Sequence, residues 1–180
     1  MLSRRSFLKW MIITGITTHF PSNAFGRAMP CPSSERMLSL LNIHTGEYFN
    51  DVYWVKGHYL IESLKGINRI LRDHRTEESI SIDTRLIELL HSIHSAHGDN
   101  QTIRIVSGYR SPKTNEYLRM NGHGVARNSL HKKGMAADMV LPGVPIMELR
   151  KTAAKLKAGG VGYYPKRNFI HIDTGRVRYW

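Results

Sequence analysis

The stretch S-L-H-K-K-G-M-A-A-D, which runs from Ser129 to Asp138, combines a histidine, a chain-breaking glycine and an alternating segment that ends in a carboxylate. The alternation predicts a β-strand in which the Asp138 side chain lies on the face opposite those of its two neighbours. A second stretch, F-I-H-I-D at residues 169–173, predicts another strand, with His171 and Asp173 on one face. Two such strands, side by side, would bring these polar side chains to one surface of a sheet.

His131, Asp138 and His171 offer two imidazoles and one carboxylate, a set that suits a metal ion with one coordination position left open. Catalytic zinc sites use three protein ligands of these types and keep the fourth position for water or substrate. A second interpretation also fits, because a buried histidine is often only a satisfied core residue, and Asp138 can be an ordinary strand-end carboxylate. The chain has ten histidines, so chance pairs are expected. Spacing by itself leaves both interpretations open.

Several separated motifs resemble one known family. The pattern S-x-H-x-x-G-x-A-x-D at residues 129–138 is similar to the ligand motif of the zinc D-Ala-D-Ala peptidases, and S-G-Y-R-S at residues 107–111 resembles another segment of that family. Three further segments resemble its periplasmic murein endopeptidase branch: L-N-I-H-T-G-E (residues 41–47), G-G-V-G-Y-Y-P (159–165) and F-I-H-I-D-T-G (169–175). The likeness extends from about Leu38 to Trp180.

The resemblance implies one Zn²⁺ per chain, with His131, Asp138 and His171 as its ligands. It implies a zinc metallopeptidase that hydrolyses peptide cross-links of peptidoglycan, of the D-Ala–meso-diaminopimelate type. It also implies that Arg110 contacts the substrate and stabilises the transition state. A D-alanyl-D-alanine carboxypeptidase and a non-catalytic, zinc-containing peptidoglycan-binding domain remain as alternatives, the latter because the hedgehog signalling domain shares this fold and keeps zinc without known hydrolysis.

The general base departs from the family pattern. Many relatives place an acidic residue or a histidine two or three positions before the last histidine ligand, where this chain has Asn168 and Phe169. Asp173 is the nearest carboxylate and has two possible roles, general base or acceptor that orients a ligand imidazole, of which the base is preferred. Tyr109 and Ser129 are predicted to line the substrate groove, although packing under the site and stabilising the ligand loop are open alternatives.

The first residues predict export. S-R-R-S-F-L-K, from Ser3 to Lys9, is typical of a twin-arginine signal, and the apolar stretch from Trp10 to Phe20 is too short to span a bilayer stably. Residues 1–24 are therefore expected to be a signal peptide and residues 25–180 a single domain in the periplasm, without stable membrane insertion. Cys31 is the only cysteine, so it makes no internal disulfide.

The net charge of +12 favours an anionic partner. Arg4, Arg5 and Lys9 would leave with the signal, but most of the excess remains. An exported protein meets little nucleic acid, so none is expected as a partner. Peptidoglycan carries free carboxylates and fits the charge.

Hydrophobic periodicity predicts an α+β domain, with an antiparallel sheet and helices packed to one side, as in the hedgehog/DD-peptidase fold that the resemblance implies. Strands are expected at 37–43, 48–55, 103–106, 135–141 and within 169–180, and helices at 61–75, 82–97, from 111 and from 145. A glycine-rich turn bordering the groove is expected at Gly159, Gly160 and Gly162. The histidines His91, His94 and His97 are expected to be structural or exposed rather than a second metal site.

Overall fold

The computed structural model describes residues 34–122 and 124–180. The predicted signal segment and Cys31 lie outside these residues. The described part contains the strands β1 (Glu35–Asn42), β2 (Tyr48–Val55), β3 (His58–Tyr59), β4 (Ile103–Ser107), β5 (Ala136–Val140), β6 (Gly160–Tyr164), β7 (Phe169–Asp173) and β8 (Arg178–Tyr179). Its helices are α1 (Ile61–Ile70), α2 (Thr84–Ser95), α3 (Pro112–Met120) and α4 (Ile146–Leu156). The α+β class is confirmed.

The strands form one mixed sheet in the order β3-β2-β1-β4-β5-β7-β6-β8. Most neighbouring strands are antiparallel, as predicted, but β1 runs parallel to β4 and β6 runs parallel to β8. Among the described residues, no helix combines the length and the apolar character needed to cross a bilayer. The hedgehog/DD-peptidase likeness of the fold stays an expectation from the resemblance.

One face of the sheet carries the hydrophobic core. Met139 on β5 pairs with Ile105 on β4 and with Ile170 on β7, and Ala137 pairs with Ile172, so these side chains point to the same side. The same core cluster includes buried residues of α1, α2 and α4. The prediction of helices on one side holds for these three, whereas α3 lies outside the cluster. The alternate residues of β5 and β7 therefore face away from the core.

Helix α1 ends at Ile70, earlier than the predicted end at Arg75. The carbonyl of Leu71 accepts a hydrogen bond from the backbone N–H of Tyr109 at 2.6 Å. This carbonyl thus bonds to the segment after β4 instead of continuing the helix. The helical periodicity beyond Ile70 is overridden by a contact between segments that are distant in the sequence.

The predicted glycine-rich turn is wrong for most of its length, because residues 160–164 form strand β6, which lies between β7 and β8 in the sheet. A Cβ atom on Gly160 would lie 2.4 Å from Asp173 Oδ2, and one on Gly162 would lie 2.7 Å from the Trp180 ring. These glycines are needed because side chains of neighbouring strands cross over the β6 backbone, and not because the chain turns there.

The three histidines of α2 and the loop after it have separate partners. His94 is buried and its Nε2 contacts the carbonyl oxygen of Gln101. His97 Nε2 lies 3.0 Å from Thr152 Oγ1, and the ring of His91 lies edge-on to that of Tyr53. They do not converge on a common point, in agreement with the structural role expected for them.

The segment L-N-I-H-T-G-E is held against α1 by an ion-pair cluster. Glu47 accepts hydrogen bonds from Arg69, at 2.7 Å, and from Arg72, which is almost fully buried. The hydrogen bond from Arg72 is the main cause that lowers the pKa of Glu47 from 4.5 to about 2, against the opposing effect of burial. In this motif of the family resemblance, Glu47 therefore has a structural role.

We expect Glu47→Gln to lower the free energy of unfolding at pH 7 by about 1–3 kcal/mol, because buried Arg72 loses a charged acceptor. A carboxyl whose pKa is lowered by folding stabilises the protein above its ordinary pKa of 4.5, and this stabilisation is lost as the pH falls towards 2. Urea unfolding of both proteins at pH 7 and at pH 3 measures the difference. The control is Glu62→Gln, whose carboxylate forms an exposed pair with Lys65. Equal losses in the two variants would contradict the prediction.

Candidate functional site

The side chains of His131, Asp138 and His171 converge on the face of the sheet opposite the core. The register of β5 and β7 places Asp138 directly beside His171. His131 lies in the short 3₁₀ turn Leu130–Lys133, just before β5. His171 Nδ1 is 2.9 Å from Asp138 Oδ1 and 3.1 Å from His131 Nε2, and these last two atoms are 3.3 Å apart. All three side chains are buried, and within residues 34–122 and 124–180 they form the one group arranged to hold a metal ion.

In both histidines, the ring nitrogen that points away from the other two ligands forms a hydrogen bond outside this group. His131 Nδ1 donates to the backbone carbonyl of Gly108 at 2.7 Å, and His171 Nε2 donates to Asp173 Oδ2 at 3.0 Å. These bonds select the tautomers in which His131 Nε2 and His171 Nδ1 present lone pairs to the same point. Two oriented imidazoles and a carboxylate are the donor set of a catalytic zinc site, so the residues present fit a metal ion.

The pKa shifts of Asp138 and His171 are consistent with the hydrogen bonds in this group. Burial acts to raise the pKa of Asp138, but the adjacent imidazoles of His131 and His171 outweigh it and hold that pKa well below its usual range. Burial likewise acts to lower the pKa of His171, but hydrogen bonds to Asp138 and Asp173 raise it overall. The carboxylate is thus ionised and available to a cation.

Asp173 is enclosed on all sides. Its side chain has no exposed surface and accepts hydrogen bonds from His171 Nε2, from the guanidinium of Arg178 and from the backbone N–H groups of Gly160 and Gly175. Burial acts to raise its pKa, but the bonds from His171 and Arg178 outweigh it and hold the pKa well below its usual range. Asp173 is also not part of the cavity wall. These contacts favour the orienting role over that of the general base, which had been preferred from the sequence.

The S-G-Y-R segment places Arg110 beside the ligand group. A Cβ atom on Gly108 would lie 2.3 Å from the carbonyl oxygen of Leu71, so only glycine allows the backbone to pass there. The backbone N–H of Arg110 donates to the carbonyl of His131 at 3.2 Å. Its guanidinium lies 3.7 Å from Asp138 Oδ2. Burial lowers the pKa of Arg110, but an arginine stays protonated, so a fixed cation faces the site.

The two other predicted groove residues differ in their surroundings. Ser129 lines the cavity, and its Oγ accepts a hydrogen bond from the backbone N–H of His131 at 3.3 Å, which also caps the ligand turn. Tyr109 belongs to the hydrophobic core cluster and is not on the cavity wall. The structure therefore does not bring Tyr109 to the groove, because its side chain packs in the hydrophobic core.

A cavity of about 370 Å³ opens over the ligand group. Besides the predicted site residues, its wall includes residues that were not predicted from the sequence as site residues. They come from the loop at 124–128, from the end of β6, the β6–β7 connection and the start of β7, and from β8 and the residue after it: Gly124, Val125, Ala126, Asn128, Tyr164, Arg167, Phe169, Arg178 and Trp180. The indole N–H of Trp180 donates to Tyr164 Oη at 2.9 Å, and the Trp180 ring centroid lies 5.3 Å from that of His171. Tyr164 lies within the motif G-G-V-G-Y-Y-P, so this motif is the feature of the sequence that could have indicated a residue of the cavity wall.

The cavity wall is rich in positive charge. Among its described residues, Arg110, Arg167 and Arg178 are cationic, whereas Asp138 is the sole carboxylate. Arg110 lies beside Asp138, and Arg178 is paired with Asp173, whereas no described residue forms a salt bridge with Arg167. A metal ion would add further positive charge. The arrangement favours a ligand that carries carboxylates close to the bond presented to the metal.

Comparison with known proteins gives consistent matches over this region. The family model Peptidase_M15_2, described as peptidoglycan L,D-endopeptidase MepK, matches residues 31–180. The peptidoglycan L,D-endopeptidase MepK of Escherichia coli (strain K12) is 41% identical over 145 residues, which cover 81% of this chain and 80% of the relative. The probable peptidoglycan L,D-endopeptidase MepK of Haemophilus influenzae (strain Rd) is 37% identical over 176 residues, or 96% of this chain and 94% of the relative.

Proposed function

Because the chain belongs to the Peptidase_M15_2 family of peptidoglycan L,D-endopeptidases, we propose that it hydrolyses peptide cross-links of peptidoglycan at the His131, Asp138 and His171 group. The observation that supports this most directly is the convergence of those three side chains at the base of an open, cationic cavity. A binding domain without catalysis would not need a buried arginine held beside the ligand group.

We propose zinc as the metal, held by His131 Nε2, Asp138 Oδ1 and His171 Nδ1. The support is the donor set, together with the hydrogen bonds that fix both imidazoles from behind. A zinc ion at such a site lowers the pKa of a bound water to about 7 and polarises a carbonyl oxygen.

The remaining residues of the site have roles that follow from their positions. Arg110 presents a cation where negative charge develops on the scissile carbonyl oxygen, and its burial makes that interaction stronger than it would be in water. Asp173 keeps the His171 ring in one orientation and one tautomer. Trp180 and Tyr164 form an aromatic wall beside His171, against which the substrate backbone can lie.

The bond we propose is the L,D bond that the relatives' names specify, and it differs from the D-Ala–meso-diaminopimelate cross-link expected from the resemblance. In that cross-link, the carbonyl belongs to a D-configured alanine. Meso-diaminopimelate has one L-centre and one D-centre, so a cross-link between two such residues can join an L-centre carbonyl to a D-centre amine. Its D-centre retains a free carboxylate next to the scissile nitrogen, which suits the cationic wall that includes Arg167.

The choice of bond is tested with purified muropeptides of defined linkage: a diaminopimelate–diaminopimelate dimer, a D-Ala–diaminopimelate dimer and a soluble pentapeptide. We expect the first dimer to give monomers at the highest rate, with no release of D-alanine from the pentapeptide. Protein treated with a chelator is the control and should be inactive on all three substrates. Release of D-alanine with both dimers intact would instead indicate a carboxypeptidase, and binding of sacculi without any cleavage would indicate a non-catalytic domain.

We also propose that the protein acts in the periplasm after twin-arginine export, with no membrane anchor and no nucleic-acid partner. The support is the S-R-R-S-F-L-K segment at residues 3–9, which lies outside the described residues, and the basic charge of the chain. The substrate proposed above is itself located in that compartment.

A further inference from the structure

Arg178 is joined to the metal-ligand group through a single carboxylate. Its guanidinium makes a bidentate contact with Asp173, with one nitrogen 3.0 Å from Oδ1 and the other 2.7 Å from Oδ2. The same Oδ2 accepts the hydrogen bond from His171 Nε2 at 3.0 Å. Arg178, Asp173 and His171 therefore form a continuous chain that ends at His171 Nδ1, the atom that faces Asp138 and His131.

The backbone around this chain is shaped to admit it. Strand β8 pairs with β6 so that Arg178 lies beside Gly160. A Cβ atom on Gly160 would lie 2.4 Å from Asp173 Oδ2 and 2.5 Å from an Arg178 guanidinium nitrogen, so any side chain there would displace the ion pair. The Gly160 and Gly175 N–H groups donate to Asp173 Oδ1 and hold that oxygen on the other side. The carboxylate is thus fixed in both position and rotation.

Trp180 completes the arrangement. The Arg178 guanidinium carbon lies 4.9 Å from the centroid of the Trp180 ring, a distance at which a cation and an aromatic face attract. The same ring lies beside His171. The backbone N–H of Trp180 donates to the carbonyl of Val161 at 3.2 Å, which attaches this segment to β6. Trp180, the residue after β8, therefore supports the His171 ring, and Arg178 on β8 supports the Nε2 atom of His171 through Asp173.

We propose that Arg178 is a positioning residue for the metal site. It fixes the carboxylate of Asp173, and that carboxylate fixes the His171 ring with Nδ1 directed at the metal position. The inference rests on the proposed metal site but not on the bond that the enzyme cuts. Arg178 is about one-third exposed, whereas Asp173 is fully buried, so Arg178 can be replaced at the surface end of the chain without opening the core.

The test measures zinc affinity of the full chain by competition with a chromophoric chelator. We expect Arg178→Gln to weaken zinc binding by about 10- to 100-fold, the usual range for residues that orient a ligand. Arg178→Lys keeps the charge without the bidentate geometry and should give an intermediate affinity. The matched control is Arg176→Gln, which removes the same charge from an exposed neighbour that is absent from the cavity wall. It should bind zinc like the unmodified protein.

A double-mutant cycle separates this role from a general structural one. If Arg178 acts through Asp173, Arg178→Gln combined with Asp173→Asn should weaken zinc binding no more than Asp173→Asn alone. The visible spectrum of the cobalt-substituted protein should change in the same way in both single variants, because both release the same ligand ring. Additive losses, or unchanged zinc affinity in Arg178→Gln, would overturn the proposal. Failure of the unmodified chain to bind zinc would instead overturn the metal site itself.

Discussion

Replacement of His171 by alanine is expected to abolish hydrolysis of peptidoglycan cross-links and to remove most of the zinc affinity. The ring supplies one of the three converging donor atoms, and its Nδ1 is the atom nearest to both Asp138 and His131. The loss should exceed the roughly 10- to 100-fold effect that is usual for residues that only orient a ligand. Without this ring, the two remaining ligands, Asp138 and His131, are buried together without a shared cation.

Metal analysis of the purified protein and a muropeptide cleavage assay measure the two effects. A chelator should inactivate the unmodified protein, and added zinc should restore its activity but not that of the variant. His58→Ala is the control, because it removes an exposed imidazole on β3. Full zinc occupancy in the His171 variant, or activity that survives the chelator, would show that the ligand assignment is wrong.

Replacement of Arg110 by alanine is expected to lower kcat by about 10²- to 10³-fold while zinc remains bound, the usual cost of removing one group that stabilises an oxyanion. Arg110 is buried, and its guanidinium lies 3.7 Å from Asp138 Oδ2, so its charge is fixed beside the metal position before the substrate arrives. Such a preorganised charge interacts mainly with the charge that develops in the transition state, and KM should change much less than kcat.

Steady-state kinetics with a defined dimer, together with zinc analysis of the same preparations, tests this prediction. Arg104→Ala is a matched control, since Arg104 is an exposed arginine on β4, the strand that leads into Arg110. It should retain the kinetics of the unmodified protein. If Arg110→Ala lost its zinc, or raised KM with kcat intact, Arg110 would hold the site or the substrate rather than the transition state.

Much of the local structure could be predicted from the sequence. The N-terminus of α3 is an example, because Ser111 Oγ accepts from the N–H of Thr114 at 3.1 Å and Pro112 occupies the first turn, as the S-P pair indicates. The faces of β5 and β7 are another. Alternation alone predicts that Asp138 and His171 leave the core face, and the register then places them side by side.

Other features depended on contacts that no local pattern contains. The glycines of β6 predict a turn because glycine often marks one, whereas in the structure they leave room for the side chains of Asp173, Arg178 and Trp180. The role of Asp173 was ambiguous for the same reason. Its nearness to His171 in the sequence was visible, but the partners that surround it, among them Arg178 and Gly160, could not be inferred from a two-residue spacing.

The sequence by itself determined which side chains share a face of a strand and where helices begin, since both follow from bond geometry within a few residues. Spacing left the metal site open as one of two interpretations, and the family resemblance implied His131, Asp138 and His171 as its ligands. The tertiary structure decided which strands are neighbours, and this pairing depends on burying one common apolar face. Only that pairing places β8 beside β6, so that Arg178 meets Asp173 and Trp180 meets His171.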